Sequence, residues 1–309
     1  KSVHMNSETK TVKIAKAIIT NNPQKIEVFD NIKAIHRPFV SSFYNVLKKN
    51  LTENELTNFY NNISTLTIKY KDDILTKLKL NKDAGHYLPD KNTIEIFPAN
   101  DLNPYNTFNH ELLHMASSSH SNEEYHIGFY QITNKANISY ALNEGYTEAI
   151  NNHFFGASIA SSGYKYEAIL SIIIEKVIGK KEMQNLYFTA DLYHLVTRLK
   201  EYATYTAIGR FLYNMDLVLQ SKKDITTKEE IIPPLLEINL FLYEVFTNWL
   251  IDSYQKKTYT INEINEGYHI FTKAINLIPD IFSYVSDELN YDIKDNTEVY
   301  KQKIKKLTK

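Results

Sequence analysis

The sequence predicts an α+β protein that is predominantly α-helical, with a small sheet between two helical regions. Three observations carry this. Apolar residues recur at three- and four-residue steps through most of the chain, which is the helical period. Strict alternation of strand type is confined to short stretches near residues 93–97 and 126–132. Turn residues gather around the first of these, in "DAGHYLPDKNTIEIFPANDLNP", which holds Gly85, Pro89, Pro98 and Pro104.

The elements follow in chain order. Residues 1–84 read as an N-terminal helical region, in which Leu56, Phe59, Ile63, Leu66 and Tyr70 line one helix face. The chain begins at Lys1 without an initiator Met, so "KSVHM" at 1–5 reads as a cloning remnant and native residues start near Asn6. "NTIEIF" reads as a strand, with Ile94 and Ile96 on one face and Glu95 on the other. A helix follows in "PYNTFNHELLHMA", with Asn106 or Thr107 as its N-cap. "HIGFYQI" is a second strand or hairpin candidate.

From Tyr140 the pattern is helical almost to the end. Gly156 and Gly179 sit where C-caps are expected, and Pro233-Pro234 is expected to start or break a helix. "TKEE" at 227–230 and "TINE" at 260–263 have capping-box spacing. The domain boundaries are read as 1–84, a central core at 85–156, and a C-terminal helical region at 157–309.

Composition narrows the function. With 309 residues, 43% hydrophobic and 23% charged, the chain can bury a sizeable core and is not a disordered composition. Formal net charge is -1, and the basic tail "KQKIKKLTK" is too short to track phosphates and reads as a solvated helix end. Nucleic acid is therefore not an expected partner. The most apolar stretch, "ILSIIIEKVIG", is broken by Glu175 and Lys176, so no transmembrane segment is expected. There is no cysteine, so any metal must be held by His, Asp or Glu.

Such a set exists. In "NTFNHELLHMASSSH", His110 and His114 are four apart, so a helix presents both rings on one face, with Glu111 one step round. Two imidazoles do not hold a catalytic metal by themselves; zinc needs three protein ligands and an open position. "SYALNEGYTEAINNHF" supplies two carboxylates, Glu144 and Glu148, again four apart on a helix. Gly145 between them costs about 1 kcal/mol against Ala in a helix, and has a use if another backbone or a metal shell must come close.

"HELLH" followed by "LNEGYTE" resembles the gluzincin branch of the zincin metallopeptidases, a thermolysin-like group. The resemblance covers about residues 92–150 and implies a zincin-like catalytic core flanked by helical regions. It implies Zn2+ held by His110, His114 and Glu144, with Glu111 as general base and Glu148 hydrogen-bonded to a ligand histidine. A rival assignment makes Glu148 the ligand and Glu144 the outer group. The resemblance also makes "TIEIF" a sheet-edge strand to which an extended peptide substrate adds through main-chain hydrogen bonds.

A fainter likeness in "ATYTAIGRFLYNM" nominates Tyr205 as oxyanion donor, with Arg210 and Tyr213 as a second pair. His194 reads as a core or rim histidine. "INEGYHIF" repeats Asn-Glu-Gly-Tyr without a companion His-Glu-x-x-His, so Glu266 reads as a helix-surface residue.

The activity implied is zinc-dependent hydrolysis of peptide bonds, as an endopeptidase on an extended peptide or protein. The Gly-x-Met-Glu-Asn exopeptidase motif is missing, and residues 115–143 make a longer separation than aminopeptidase-like members have. An aminopeptidase-like exopeptidase and a non-hydrolytic binding protein of the same fold are the alternatives. Abundant Asn, Lys, Ile and Tyr fit an AT-rich bacterial genome, and exported peptidases of the resembling type are common in bacteria, so the compartment expected is extracellular, with the cytoplasm as alternative.

Overall fold

The computed structural model describes residues 31–71, 84–100, 104–121, 123–224 and 226–309. Segment 1–5 and any helices over the first thirty positions lie outside the described residues, as does 72–83. Among the described residues, eleven α-helices and seven short strands make an α+β fold that is predominantly helical. The chain divides into two compact units that interleave in sequence. The first comprises 1–136, 147–159 and 185–191; the second comprises 137–146, 160–184 and 192–309.

In the first unit, α1 (Arg37–Asn50) buries Val40, Phe43, Tyr44 and Leu47, the stripe its three- and four-residue spacing dictates. α2 (Thr57–Ile63) packs its Phe59 ring on Tyr44 at 5.2 Å between centroids. The helical face expected to continue through Leu66 and Tyr70 stops at Ile63. Thr67–Tyr70 is a strand, β1. Leu66 and Ile68 are buried while Thr67 and Lys69 are more exposed, so the period has changed from helical to two. The β-branched Thr65, Thr67 and Ile68 favour that change.

β1, β2 (Gly85–Leu88) and β3 (Thr93–Ile96) form a three-stranded sheet in the order β1-β3-β2. β3 runs parallel to β1, with Ile68 opposite Ile94, and antiparallel to β2, with Tyr87 opposite Ile94. "TIEIF" is therefore the central strand, which corrects the expectation of a sheet edge. Both of its backbone edges are taken by neighbours, so no substrate strand can add there.

All four β3 residues are buried, Glu95 included. Its carboxylate meets His86 Nε2 at 2.7 Å and Lys71 Nζ at 2.5 Å. Burial pushes the Glu95 carboxyl up, but the hydrogen bonds and charges of His86 and Lys71 outweigh it and hold it below its ordinary value of 4.5. A depressed folded pKa adds stability above the ordinary value, and that stability is lost as pH falls through the folded value. Glu95→Gln is expected to be less stable than wild type at neutral pH, with the gap closing below about pH 4.5. Urea-unfolding midpoints against pH check this, and a gap that stays constant down to pH 3 would count against it.

α3 (Pro104–Ala116) starts before the expected caps Asn106 and Thr107. Proline fits the first helical position, because its fixed φ is helical and its missing N–H would have no intrahelical partner. Beyond α3, β4 (Ser118–Ser121), β5 (Glu124–Ile127) and β6 (Tyr130–Ile132) form an antiparallel meander. "HIGFYQI" is thus a hairpin, with Ile127 opposite Tyr130 and Gly128 at φ +55 in the two-residue turn.

In the second unit, β7 (Asn137–Ile138) leads into α4 (Tyr140–Phe155), and the division between the units falls inside this helix, after Tyr146. Gly156 follows α4 at φ +74, its N–H donating to Asn152 O at 2.9 Å, and Gly179 follows α5 (Lys165–Ile178) at φ +101. α6 (Lys180–Phe188), α7 (Leu192–Leu199), α8 (Tyr205–Lys223), α9 (Lys228–Gln255), α10 (Ile261–Ile275) and α11 (Ser286–Lys305) complete the chain.

α9 is the hub of the second unit. Phe241 stacks on Phe211 of α8 at 4.3 Å, and Phe246 stacks on Phe271 of α10 at 4.6 Å. Pro233 and Pro234 neither start nor break it. They fall at its sixth and seventh positions, where the hydrogen bonds they cannot donate would have reached Glu229 and Glu230, both exposed to water. Thr227 caps α9 by accepting from Glu230 N, and Thr260 with Glu263 forms a complete capping box on α10. Glu266 is exposed on α10, and of residues 301–309 only Ile304 is buried. No helix among the described residues is long and apolar enough to cross a membrane.

Candidate metal centre

α3 is buried on every face from Phe108 to Ala116. His110, Glu111 and His114 therefore sit among Leu112, Leu113 and Met115 and not on a wetted stripe. Polar groups so buried are costly unless they are partnered. The far end of α3 is fixed by Asn62, whose Nδ2 donates to Met115 O at 2.9 Å and Ser118 O at 2.8 Å. Ser117 Oγ donates to Leu113 O at 2.8 Å, and Gly128 N donates to Ser117 O at 2.9 Å. The near end is tied to α4, where Asn151 Nδ2 donates to Asn106 O at 3.1 Å.

The helical spacing brings the two imidazoles together. His110 Nε2 and His114 Nε2 are 3.0 Å apart, with ring planes at 83°. On its other side, His110 Nδ1 lies 2.8 Å from Glu148 Oε1. The carboxylate thus stands beside the Nδ1 side of the ring, while Nε2 is the nitrogen that approaches the partner ring. Among the described residues, His110, Glu111 and His114 offer donor atoms that all lie within 4.8 Å of one another.

Comparison with family models, curated proteins and solved structures finds no match to this chain.

His110, Glu111 and His114 could hold a metal ion, and their chemistry is compatible with zinc. Two nitrogens bound to a tetrahedral zinc at about 2.0–2.1 Å stand about 3.3 Å apart, close to the spacing of the two Nε2 atoms. The chain offers no thiolate, and imidazole with carboxylate is the borderline N/O set that zinc accepts.

Glu144 is buried on α4, one helical turn before Glu148. Its surroundings in the second unit are defined by α5. A Cβ built on Gly145 would lie 2.2 Å from Glu167 O, so the two backbones are in direct contact. Tyr146 OH donates to Glu175 Oε2 at 2.6 Å. Glu167 is itself fully buried and paired with Lys222, 2.7 Å from Oε2. Burial pushes the Glu167 carboxyl up, the Lys222 charge and hydrogen bond work against this, and the nearby charge of Glu144 raises it further.

The remaining candidates lie on α7 and α8. Tyr205 is the first residue of α8 and 70% exposed, following the N-cap Thr204. Arg210 donates to both carboxylate oxygens of Glu237, at 2.7 and 2.8 Å, and Asn214 adds a third bond at 2.6 Å. These bonds hold the Glu237 carboxyl below its ordinary range. Tyr213 is 62% exposed. His194 is exposed on α7, so the core half of the core-or-rim expectation does not hold. Asn62 and Asn151 had no local sequence signal, because an asparagine reaching a carbonyl dozens of residues away leaves no periodic trace.

Proposed function

We propose that the protein is a zinc-dependent metallopeptidase with His110, His114 and Glu144 as ligands and Glu111 as general base. The observation that carries this reading is the buried His110–His114 pair, with Nε2 atoms 3.0 Å apart and Glu148 on the outer nitrogen of His110. The Glu148 contact supports giving that residue the orienting role, and the ligand role of Glu144, one turn earlier, rests on its place in the gluzincin-like motif.

A bound zinc ion would acidify a water toward neutrality and polarise a carbonyl. Glu111, one position round from His110, is suited to take the proton of the attacking water and hand it to the leaving amine. Exposed Tyr205 is the candidate donor to the oxyanion, a role whose loss typically costs about a hundred- to thousandfold. Arg210 is a weaker candidate, since its guanidinium is already engaged by Glu237.

Metal analysis of the purified chain is expected to give one zinc, lost in Glu144→Ala and retained in Glu148→Gln with weaker affinity. Incubation with a peptide library is expected to give internal cuts that a chelator stops. Trimming from one end would make the protein an exopeptidase. Zinc binding without chelator-sensitive cleavage would make it a binding protein, and absence of zinc would remove the proposal.

A further inference from the structure

The start of α4 is held by an uncommon device. Ser139 is its N-cap residue, since its carbonyl accepts from Asn143 N at 3.3 Å. A serine at this position ordinarily caps with its own hydroxyl, accepting from the second or third helical N–H. Ser139 does not. Its φ is +65, and its Oγ is buried without a hydrogen-bond partner. The cap comes instead from α8, where Asp216 Oδ1 accepts from Ala141 N at 2.8 Å and Oδ2 accepts from Ser139 N at 3.2 Å.

A carboxylate at a helix N-terminus satisfies unpaired N–H groups and complements the helix dipole. A local serine would do much of this. What the distant aspartate adds is registration, because both oxygens fix the first turn of α4 against the middle of α8. The residues linked are informative. Glu144 lies three positions beyond Ala141, about 4.5 Å along the helix, and Tyr205, Arg210 and Tyr213 lie on α8. We propose that Asp216 is a positioning residue, locking the helix that carries Glu144 to the helix that carries the oxyanion candidates. This inference rests on the metallopeptidase reading.

The test is zinc affinity, measured by competition with a fluorescent chelator on wild type, Asp216→Ala, Asp216→Asn and Thr260→Ala. Loss of a group that orients a ligand typically weakens metal binding about 10–100-fold, and Asp216→Ala is expected in that range. Asp216→Asn keeps one acceptor oxygen and should fall between it and wild type; if the alanine variant does not fold, the asparagine variant decides. Thr260→Ala removes the capping box of α10 and is expected to lower stability while leaving zinc affinity unchanged. Amide exchange at Ser139 and Ala141 in metal-free protein should quicken in both Asp216 variants and not in Thr260→Ala. Asp216 variants with wild-type zinc affinity, or a Thr260→Ala variant weakened equally, would overturn the positioning role alone. Wild-type protein that binds no zinc would overturn the metallopeptidase reading and this inference with it.

Discussion

Glu111→Gln is expected to lower peptide hydrolysis by about a hundred- to ten-thousandfold, the usual worth of a general base, while zinc stays bound. The substitution keeps the shape of the side chain and removes only its capacity to take a proton. Glu111 is buried beside both histidines, so the amide replaces the carboxylate without opening a cavity. The proposed ligands His110, His114 and Glu144 are untouched, so the metal content should match wild type. Turnover on a library-derived peptide, read together with zinc content on the same preparation, separates two failures. Loss of both would mean that Glu111 holds the site together structurally. Wild-type turnover with zinc bound would mean that the proton is handled by another group.

The candidate site was more legible in the sequence than the sheet around it, and the reason is physical. His110, Glu111 and His114 lie within one helical turn, where spacing alone decides which side chains meet. Glu144 and Glu148 are likewise one turn apart, and Glu148 lies on His110 because α4 packs back against α3, as the Asn106–Asn151 bond records. The sheet depends on partners far apart in sequence. β1 is hidden in a helical pattern because Leu66 and Tyr70 happen to continue it, and pairing with β3, added to the β-branched Thr65, Thr67 and Ile68, selects the extended form. β3 is a strand, as its alternation predicts, but lies at the centre of the sheet and not at the edge. An alternating pattern such as "TIEIF" gives an edge strand and a centre strand the same appearance when the polar residue between the isoleucines is buried by His86 and Lys71. The cap from Asp216 was invisible for the same reason, since nothing near Ser139 signals that its cap comes from α8.

Gly145→Ala tests how tightly the proposed ligand helix is held. On propensity alone the change would stabilise α4 by about 0.8–1.0 kcal/mol. The structure predicts the opposite sign. The new Cβ would stand 2.2 Å from Glu167 O, 2.3 Å from Glu167 C and 2.8 Å from Ala168 N, all of them backbone atoms that no rotamer change can move. Relief needs α4 and α5 to part, and that movement strains Tyr146–Glu175 and the buried Glu167–Lys222 pair together. Overpacking of this kind typically costs about 1–3 kcal/mol and occasionally more, and a clash with backbone belongs at the upper end. Net destabilisation of about 2 kcal/mol or more is therefore expected after the propensity gain, read from thermal or urea unfolding. Because Glu144 adjoins the displaced residue, zinc affinity should fall in the same variant. A Gly145→Ala protein more stable than wild type would show that the α4–α5 contact is loose, and that the glycine is not there to admit the neighbouring backbone.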